Sequence, residues 1–238
     1  MLYLNPRGKS NDATDRDQWK DYNGAYVANV KDLHYGTVNG WLMDEDGTNY
    51  LKLSSGAHLE LPKFKPFQYD PTRFNAADSR MGYGMTIEVD FEISGVLNYN
   101  TDIIKCYYKH EEGKIPVGFR VTGDKVRFYN SSLSGGANDD ALLGLNIVEG
   151  KRIRLTFVLE PNTTTVKFPM AYVYLDGKLS GAVIYDTTAS FIDSAATLSI
   201  SSDDAQVKIY GIRFYSSALA NRVILNNYTA SLPTLAER

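Results

Sequence analysis

Between Gly84 and Ser94 the chain alternates without a break. Met85, Ile87, Val89, Phe91 and Ile93 fall on one side, and Thr86, Glu88, Asp90 and Glu92 on the other. Side chains of an extended strand point to opposite faces in turn, so this period of two predicts a strand with one face on a core. Shorter runs of the same kind fill the chain from Gly40 onward: Trp41–Met43, Tyr50–Leu53, His58–Leu61, Asp102–Lys109, Val117–Thr122 and Lys125–Asn130. Lys151–Leu159, Met170–Leu175, Lys178–Tyr185, Ala196–Ser201 and Gln206–Tyr215 continue the series. Turn residues divide them, among them Asp46-Gly47, Ser54-Ser55-Gly56 and Asp176-Gly177, and such pairs favour tight reversals between strands. No helix separates one run from the next in a βαβ rhythm. The expected fold is therefore all-β, a two-sheet antiparallel sandwich. A single helix is expected near the end, over Ser217–Tyr228, where Leu219, Val223 and Asn227 recur at spacing four. The polar, irregular first 35 residues read as an ordered arm or linker, residues 36–230 as the sandwich domain, and 231–238 as a tail.

Composition excludes several functions. The chain has 238 residues, 25 basic and 28 acidic side chains, and a formal net charge of −3. Such a chain is long enough for a full core in one domain, and it has no global field to hold phosphates, so nucleic acid is not an expected partner. Its one cysteine, Cys106, cannot form an internal disulfide and reads as a buried, inert thiol. The start, Met-Leu-Tyr-Leu-Asn-Pro-Arg-Gly, has no apolar signal core, and no run reaches the length of a membrane span. The histidines, His34, His58 and His110, are too scattered for a zinc site.

The order of certain segments carries a resemblance. Gly40-Trp41 precedes Leu51-Lys-Leu-Ser-Ser-Gly-Ala-His-Leu-Glu-Leu61, and the Gly84–Phe91 strand follows. Then come Glu149-Gly-Lys-Arg-Ile-Arg-Leu-Thr-Phe157, Ala171-Tyr-Val-Tyr-Leu-Asp-Gly177 and Ile209-Tyr-Gly-Ile-Arg-Phe-Tyr215, with Asn226-Asn227-Tyr228 behind. Over roughly residues 35–230 this set resembles the concanavalin A-like, laminin-G-like jelly roll. The opening Leu4-Asn-Pro-Arg-Gly-Lys-Ser-Asn11, followed by Trp19, resembles the lead-in of such domains in tail-associated structural proteins of bacteriophages and prophages. The resemblance implies a virion or extracellular-particle surface and other virion proteins as partners. It leaves function open, because this sandwich hosts lectins, glycosidases and adhesive modules.

Glu88-Val89-Asp90-Phe91-Glu92 puts three carboxylates on one strand face. The laminarinase and lichenase glycosidases, which share the sandwich, use a Glu-x-Asp-x-Glu strand. A retaining glycosidase holds its two carboxyl groups about 5–5.5 Å apart, whereas residues i and i+4 of a strand lie roughly 13 Å apart along the backbone. Position also tells against catalysis. Gly82-Tyr-Gly-Met-Thr-Ile-Glu-Val89 resembles an earlier, non-catalytic strand of those enzymes, and the catalytic equivalent falls near Val117–Thr122, which has no carboxylate. The three acids therefore read as a solvated strand face, paired across strands with Arg152 and Arg154. No catalytic residue is assigned, and the chain is not expected to be an enzyme.

Calcium is the one cofactor for which the loops offer ligands. Asp44/Asp46, Asp139/Asp140 and Asp203/Asp204 are hard oxygen donors, although none has EF-hand spacing. The 17 tyrosines sort by alternation. Tyr172, Tyr174, Tyr185, Tyr210 and Tyr215 sit in runs apolar on both faces and read as packing. Tyr107 and Tyr129 instead share a face with Lys105, Arg120 and Arg127, opposite Ile104, Cys106, Val126 and Phe128. Flat rings beside fork-like donors are what sugar recognition uses. The leading expectation is a lectin-like binding or adhesion module contacting carbohydrate or a host envelope. The alternatives are a scaffolding domain that binds neighbouring virion subunits and, least favoured, a glycosidase.

Overall fold

The computed structural model of the chain describes residues 2–64, 85–95, 102–110, 114–122, 125–130, 141–143, 147–160, 170–184, 195–202, 205–215 and 217–231. The strands before the long alternating segment are β1 (Leu2–Leu4), β2 (Gln18–Lys20), β3 (Val27–Lys31), β4 (Gly40–Met43), β5 (Asn49–Leu53) and β6 (Ala57–Phe64). They are followed by β7 (Met85–Ser94), β8 (Asp102–His110), β9 (Lys114–Thr122), β10 (Lys125–Asn130) and β11 (Ala141–Leu143). The last are β12 (Ile153–Glu160), β13 (Met170–Leu175), β14 (Lys178–Ile184), β15 (Ala195–Ser202) and β16 (Gln206–Tyr215), with one helix, α1 (Asn221–Ser231).

Two antiparallel sheets result. The first is ordered β14-β13-β12-β7-β16-β5-β4, with β1 also on β16; the second is ordered β11-β10-β9-β8-β15-β6-β3-β2. The core lies between them. Ile87, Val89, Phe91 and Ile93 of β7 enter it with Leu155 and Phe157 of β12, Ile209 and Ile212 of β16, and Ile104, Val121 and Ile200 of the second sheet. The alternation read from the sequence of β7 is thus the alternation of the fold.

The first 31 residues supply three strands rather than irregular structure. β1 pairs with β16, while β2 and β3 extend the second sheet beyond β6. Leu2, Leu4, Trp19, Ala28 and Val30 are buried in the common core. Each of these strands is only three to five residues long, so one or two apolar residues among polar ones are all the pattern the sequence can show.

Two tryptophans distant in sequence meet here. Trp19 and Trp41 stand edge to face, their ring centroids 5.2 Å apart, with Trp19 Nε1 donating to the Asn5 carbonyl at 3.0 Å and Trp41 Nε1 to that of Arg16 at 2.9 Å. Asn11 closes the unit. Its Oδ1 accepts from Trp41 N at 2.7 Å, and its Nδ2 donates to the Gly36 and Asn39 carbonyls at 2.8 and 3.1 Å. Gly40, at φ 102°, passes against this amide, where a β-carbon would collide with Asn11 Oδ1 and the Tyr35 ring. The segments that carry the resemblance to a phage lead-in are therefore one packed unit.

Candidate functional site

The tyrosine–cation set lies on the second sheet, on the three neighbouring strands β8, β9 and β10. Core-facing positions there form the row Ile104–Val121–Val126, whose members are fully buried. The intervening rows belong to the opposite face. One is Tyr107–Gly118–Tyr129, and the next is Lys105–Arg120–Arg127. The pairing register thus places all five expected residues in two adjacent rows, with a glycine between the two tyrosines. Rows of one face are about 7 Å apart along a strand, and adjacent strands about 4.8 Å apart. A third row, Asp102–Thr122–Lys125, follows.

The acids of β7 face outward on the first sheet, as expected, but Glu88 and Asp90 are buried rather than solvated, with Glu92 partly exposed. Glu88 is 1 % exposed and Asp90 8 %. Asp90 receives Arg152 in a two-pronged contact, Nε to Oδ1 and Nη2 to Oδ2, both at 2.9 Å, and Arg154 Nη2 reaches Oδ2 at 2.9 Å. The expected cross-strand pairs with Arg152 and Arg154 therefore form, both on the central acid.

Strand β16 supplies partners that the sequence reading missed. Lys208 stands opposite Glu92 and Arg213 opposite Glu88, with Lys208 Nζ 3.1 Å from Glu92 Oε1 and Arg213 Nη1 3.6 Å from Glu88 Oε2. Tyr215 Oη and Asn227 Nδ2 donate to Glu88 at 3.3 and 3.1 Å. Tyr210 and Tyr215, expected as packing, are thus members of this polar layer. A bulge explains the miss. The register shifts between Ile209 and Gly211, adding one residue to β16. Lys208 and Tyr210 before it and Arg213 and Tyr215 after it then share the outer face. Read with a strict period of two, the same run is apolar on both faces. Tyr174 does pack, with Val158 and Ile224, and Tyr172 lies against them; Tyr185 lies outside the described residues.

Helix α1 roofs part of this layer. Ile224 is its buried residue, set against Val158 and Tyr174, and the Asn227 carbonyl accepts from Arg154 Nη1 at 3.2 Å. The helix can come this close because the β13–β14 turn, Asp176-Gly177, has φ values of 50° and 76°, and a β-carbon on Gly177 would press on Tyr228 and Leu225. The helix begins at Asn221 rather than Ser217. Thr86 Oγ1 donates to the Ser217 carbonyl and accepts from Leu219 N, both at 2.9 Å, tying that segment to β7 first.

The electrostatics follow. Burial pushes the Asp90 carboxyl up, but the hydrogen bond and charge of Arg152, then those of Arg154, outweigh it and hold the group below the usual carboxylate range. Burial, then the charge of Glu88, pushes the Tyr215 hydroxyl up to about 12. The Tyr210 hydroxyl is raised further, by burial and then by its hydrogen bond to Asp44. Arg152 also lies over the Tyr210 ring, 4.0 Å from its centroid. An acid held ionised by two guanidinium groups is poorly suited to donate a proton, and Glu88 presents almost no surface to a substrate.

Of the calcium candidates, Asp44 is engaged by Tyr210 Oη at 2.7 Å and by Lys208 Nζ at 3.5 Å, while Asp46 Oδ1 accepts from Thr48 N at 2.9 Å. Asp139, Asp140, Asp203 and Asp204 lie outside the described residues. Among the described residues no group of three or more His, Cys, Asp or Glu is placed to hold a metal ion, and no helix is long and apolar enough to cross a membrane.

No protein-family model matches the chain, and no curated protein matches it. Solved structures do. The binding domain of botulinum neurotoxin DC in complex with rat synaptotagmin II superposes with a TM-score of 0.59 at 11 % identity, over 97 % of this chain and 51 % of that one. A botulinum neurotoxin type C structure, described as depending on two ganglioside molecules to enter cells, gives 0.57 at 13 %, over 98 % and 51 %. The neurotoxin DC binding domain in complex with SialylT gives 0.56 at 13 %, over 96 % and 50 %. This chain spans about half the length of those chains, and what it shares with them is a sheet-rich sandwich fold.

Proposed function

We propose that the chain is a non-catalytic, lectin-like binding module whose outer β8–β9–β10 face contacts carbohydrate or the glycans of a host envelope. The observation that carries this reading is the register of that face, a tyrosine–glycine–tyrosine row beside a row of three cations. Tyrosine rings suit stacking on a sugar, and cationic side chains suit its hydroxyl or acidic groups. The fold likeness supports it, since the similar structures include domains described with gangliosides and SialylT. The burial of Glu88 and Asp90 and their pairing with arginines on the other sheet support a non-catalytic role. The lead-in Leu4–Asn11 with Trp19 supports a phage-type structural protein, displayed on a virion or other extracellular particle.

A glycan array tests this. Binding should be weakened about fivefold or more by Tyr107→Ala or Arg127→Ala, because each removes a stacking surface or a charged donor worth about 1–3 kcal/mol. Release of reducing sugar from β-glucan, lost in Glu88→Gln and Glu92→Gln, would overturn the non-catalytic part. A second reading, a scaffold that binds only protein subunits, draws on the neurotoxin domain solved with synaptotagmin II. A stable oligomer in solution with silence across the array would favour it.

A further inference from the structure

We infer that α1 seals an ordered water molecule against β12, held by Thr156 Oγ1, Arg154 Nε and the Glu88 carboxylate. The site lies on the first sheet and is independent of the binding face on the second. Ile153, Leu155 and Phe157 of β12 enter the core, so Arg154, Thr156 and Val158 stand on the outer face, toward the helix. Arg154 is 4 % exposed and Thr156 0 %. Neither Arg154 Nε nor Thr156 Oγ1 has a hydrogen-bond partner among the described residues. A polar group buried in this way has given up its hydration without return, and folded proteins pair nearly all such groups, with protein or with ordered water.

Two unpaired atoms on one face of one strand, two residues apart, point to a shared partner. The register sets Thr156 between Glu88 of β7 and Tyr174 of β13, and Arg154 beside Asp90. Helix α1 closes over this stretch at both ends. Ile224 packs on Val158 and Tyr174, and the Asn227 carbonyl accepts from Arg154 Nη1 at 3.2 Å. Thr156 lies between these two anchor points, and its side chain is shorter than those of Glu88, Tyr174 and Arg154 around it. The Glu88 oxygens already accept from Asn227 Nδ2 at 3.1 Å and Tyr215 Oη at 3.3 Å, and each carboxylate oxygen can accept a second bond.

The chemistry of the three groups selects the occupant. Arg154 Nε–H needs an acceptor, the Glu88 carboxylate takes a donor, and the Thr156 hydroxyl serves as either. An anion satisfies the arginine but meets Glu88, which is 1 % exposed; a cation meets Arg154. Water both accepts and donates, and three partners is the usual number for a buried water. The same water gives α1 a hold that its apolar contacts do not supply, since Ile224 is the helix's buried residue. Through it Thr156 is joined to Glu88 and Arg154, the two side chains that bind Asn227.

The test is a high-resolution crystal structure of the whole chain, grown in bromide. The expected result is a density peak within hydrogen-bond distance of Thr156 Oγ1 and Arg154 Nε, with no anomalous signal. A direct protein partner for either atom, a dry site, or bromide at the peak would overturn the inference. Thr156→Val keeps the shape of the side chain and removes the hydroxyl, so its effect on stability has a telling sign. With a water in place the variant loses one of its holders, and the unfolding equilibrium in urea should shift toward the unfolded state about fivefold or more, with faster amide exchange over 221–231. A hydroxyl that is merely unpaired does harm, and its removal raises the urea midpoint; that result would overturn the inference. Thr156→Ser retains the hydroxyl and should retain the peak. Should the valine variant fail to fold, the wild-type density decides alone.

Discussion

Asp90, itself buried, collects three hydrogen bonds from two guanidinium groups. Removing one side of a buried ion pair strands the other, at a cost of about 3–5 kcal/mol. Asp90→Asn should therefore lose that much in urea unfolding. The acid limb of stability should change as well. The folded carboxyl titrates below its unfolded counterpart, so its contribution is complete above an unfolded pKa of about 4 and is lost as pH falls through the lower folded value. Wild type should lose stability with acid through this window, and Asp90→Asn should lose less of it; equal slopes would contradict the assignment. Asn11 offers a second test, since one amide there satisfies three backbone groups. Asn11→Ala should cost about 1–3 kcal/mol in the same assay. The two residues differ in legibility. Acids at spacing two and arginines at spacing two announce a cross-strand pairing, and the pairing formed. An asparagine bridging to backbone 25–30 residues away has no periodicity to betray it.

At the scale of the element, α1 is held by a narrow set of contacts. Of its 11 residues Ile224 is the one buried, and Val223 and Leu225 are exposed. The stripe Leu219–Val223–Asn227 locates a helix correctly yet misplaces both its start and its end, and it omits Ile224. The start was displaced because Thr86, on a strand 131 residues earlier, holds Ser217 and Leu219. Ile224→Ala should cost about 2–5 kcal/mol. The loss should fall on the helix first, seen as faster amide exchange over 221–231 than over β7. Uniform acceleration across both would mean that helix and sheet open together.

The described residues form two sheets whose long strands were written plainly in the sequence, as were the short β4 and β5, and whose other short strands were not. β7, β10, β13 and β16 match their sequence-read bounds closely, because six to ten residues give alternation room to repeat. β1, β2, β3 and β11 have three to five residues and little room for a pattern. Their weight in the fold is nonetheless large. Deleting residues 1–31 removes Leu2, Leu4, Trp19 and Val30 from the core and uncovers the β6 edge. The product should bind a hydrophobic dye and lose its cooperative melt, whereas a sharp transition near that of the wild type would mark this segment as dispensable. The outer face of β8–β10 was legible for the opposite reason, since register on long strands fixes which residues are neighbours. The extra residue in β16 carries a last consequence, for which changes of chain length the fold can accept. Deleting Tyr210 would not trim a surface side chain. It would remove the bulge and leave a strand of regular alternation, with Ile209, Ile212 and Phe214 still inward and Arg213 still opposite Glu88, so this central strand can lose a residue at position 210 where a deletion elsewhere would turn the rest of the strand over; what is lost instead is the Tyr210 hydroxyl from Asp44 and Glu92.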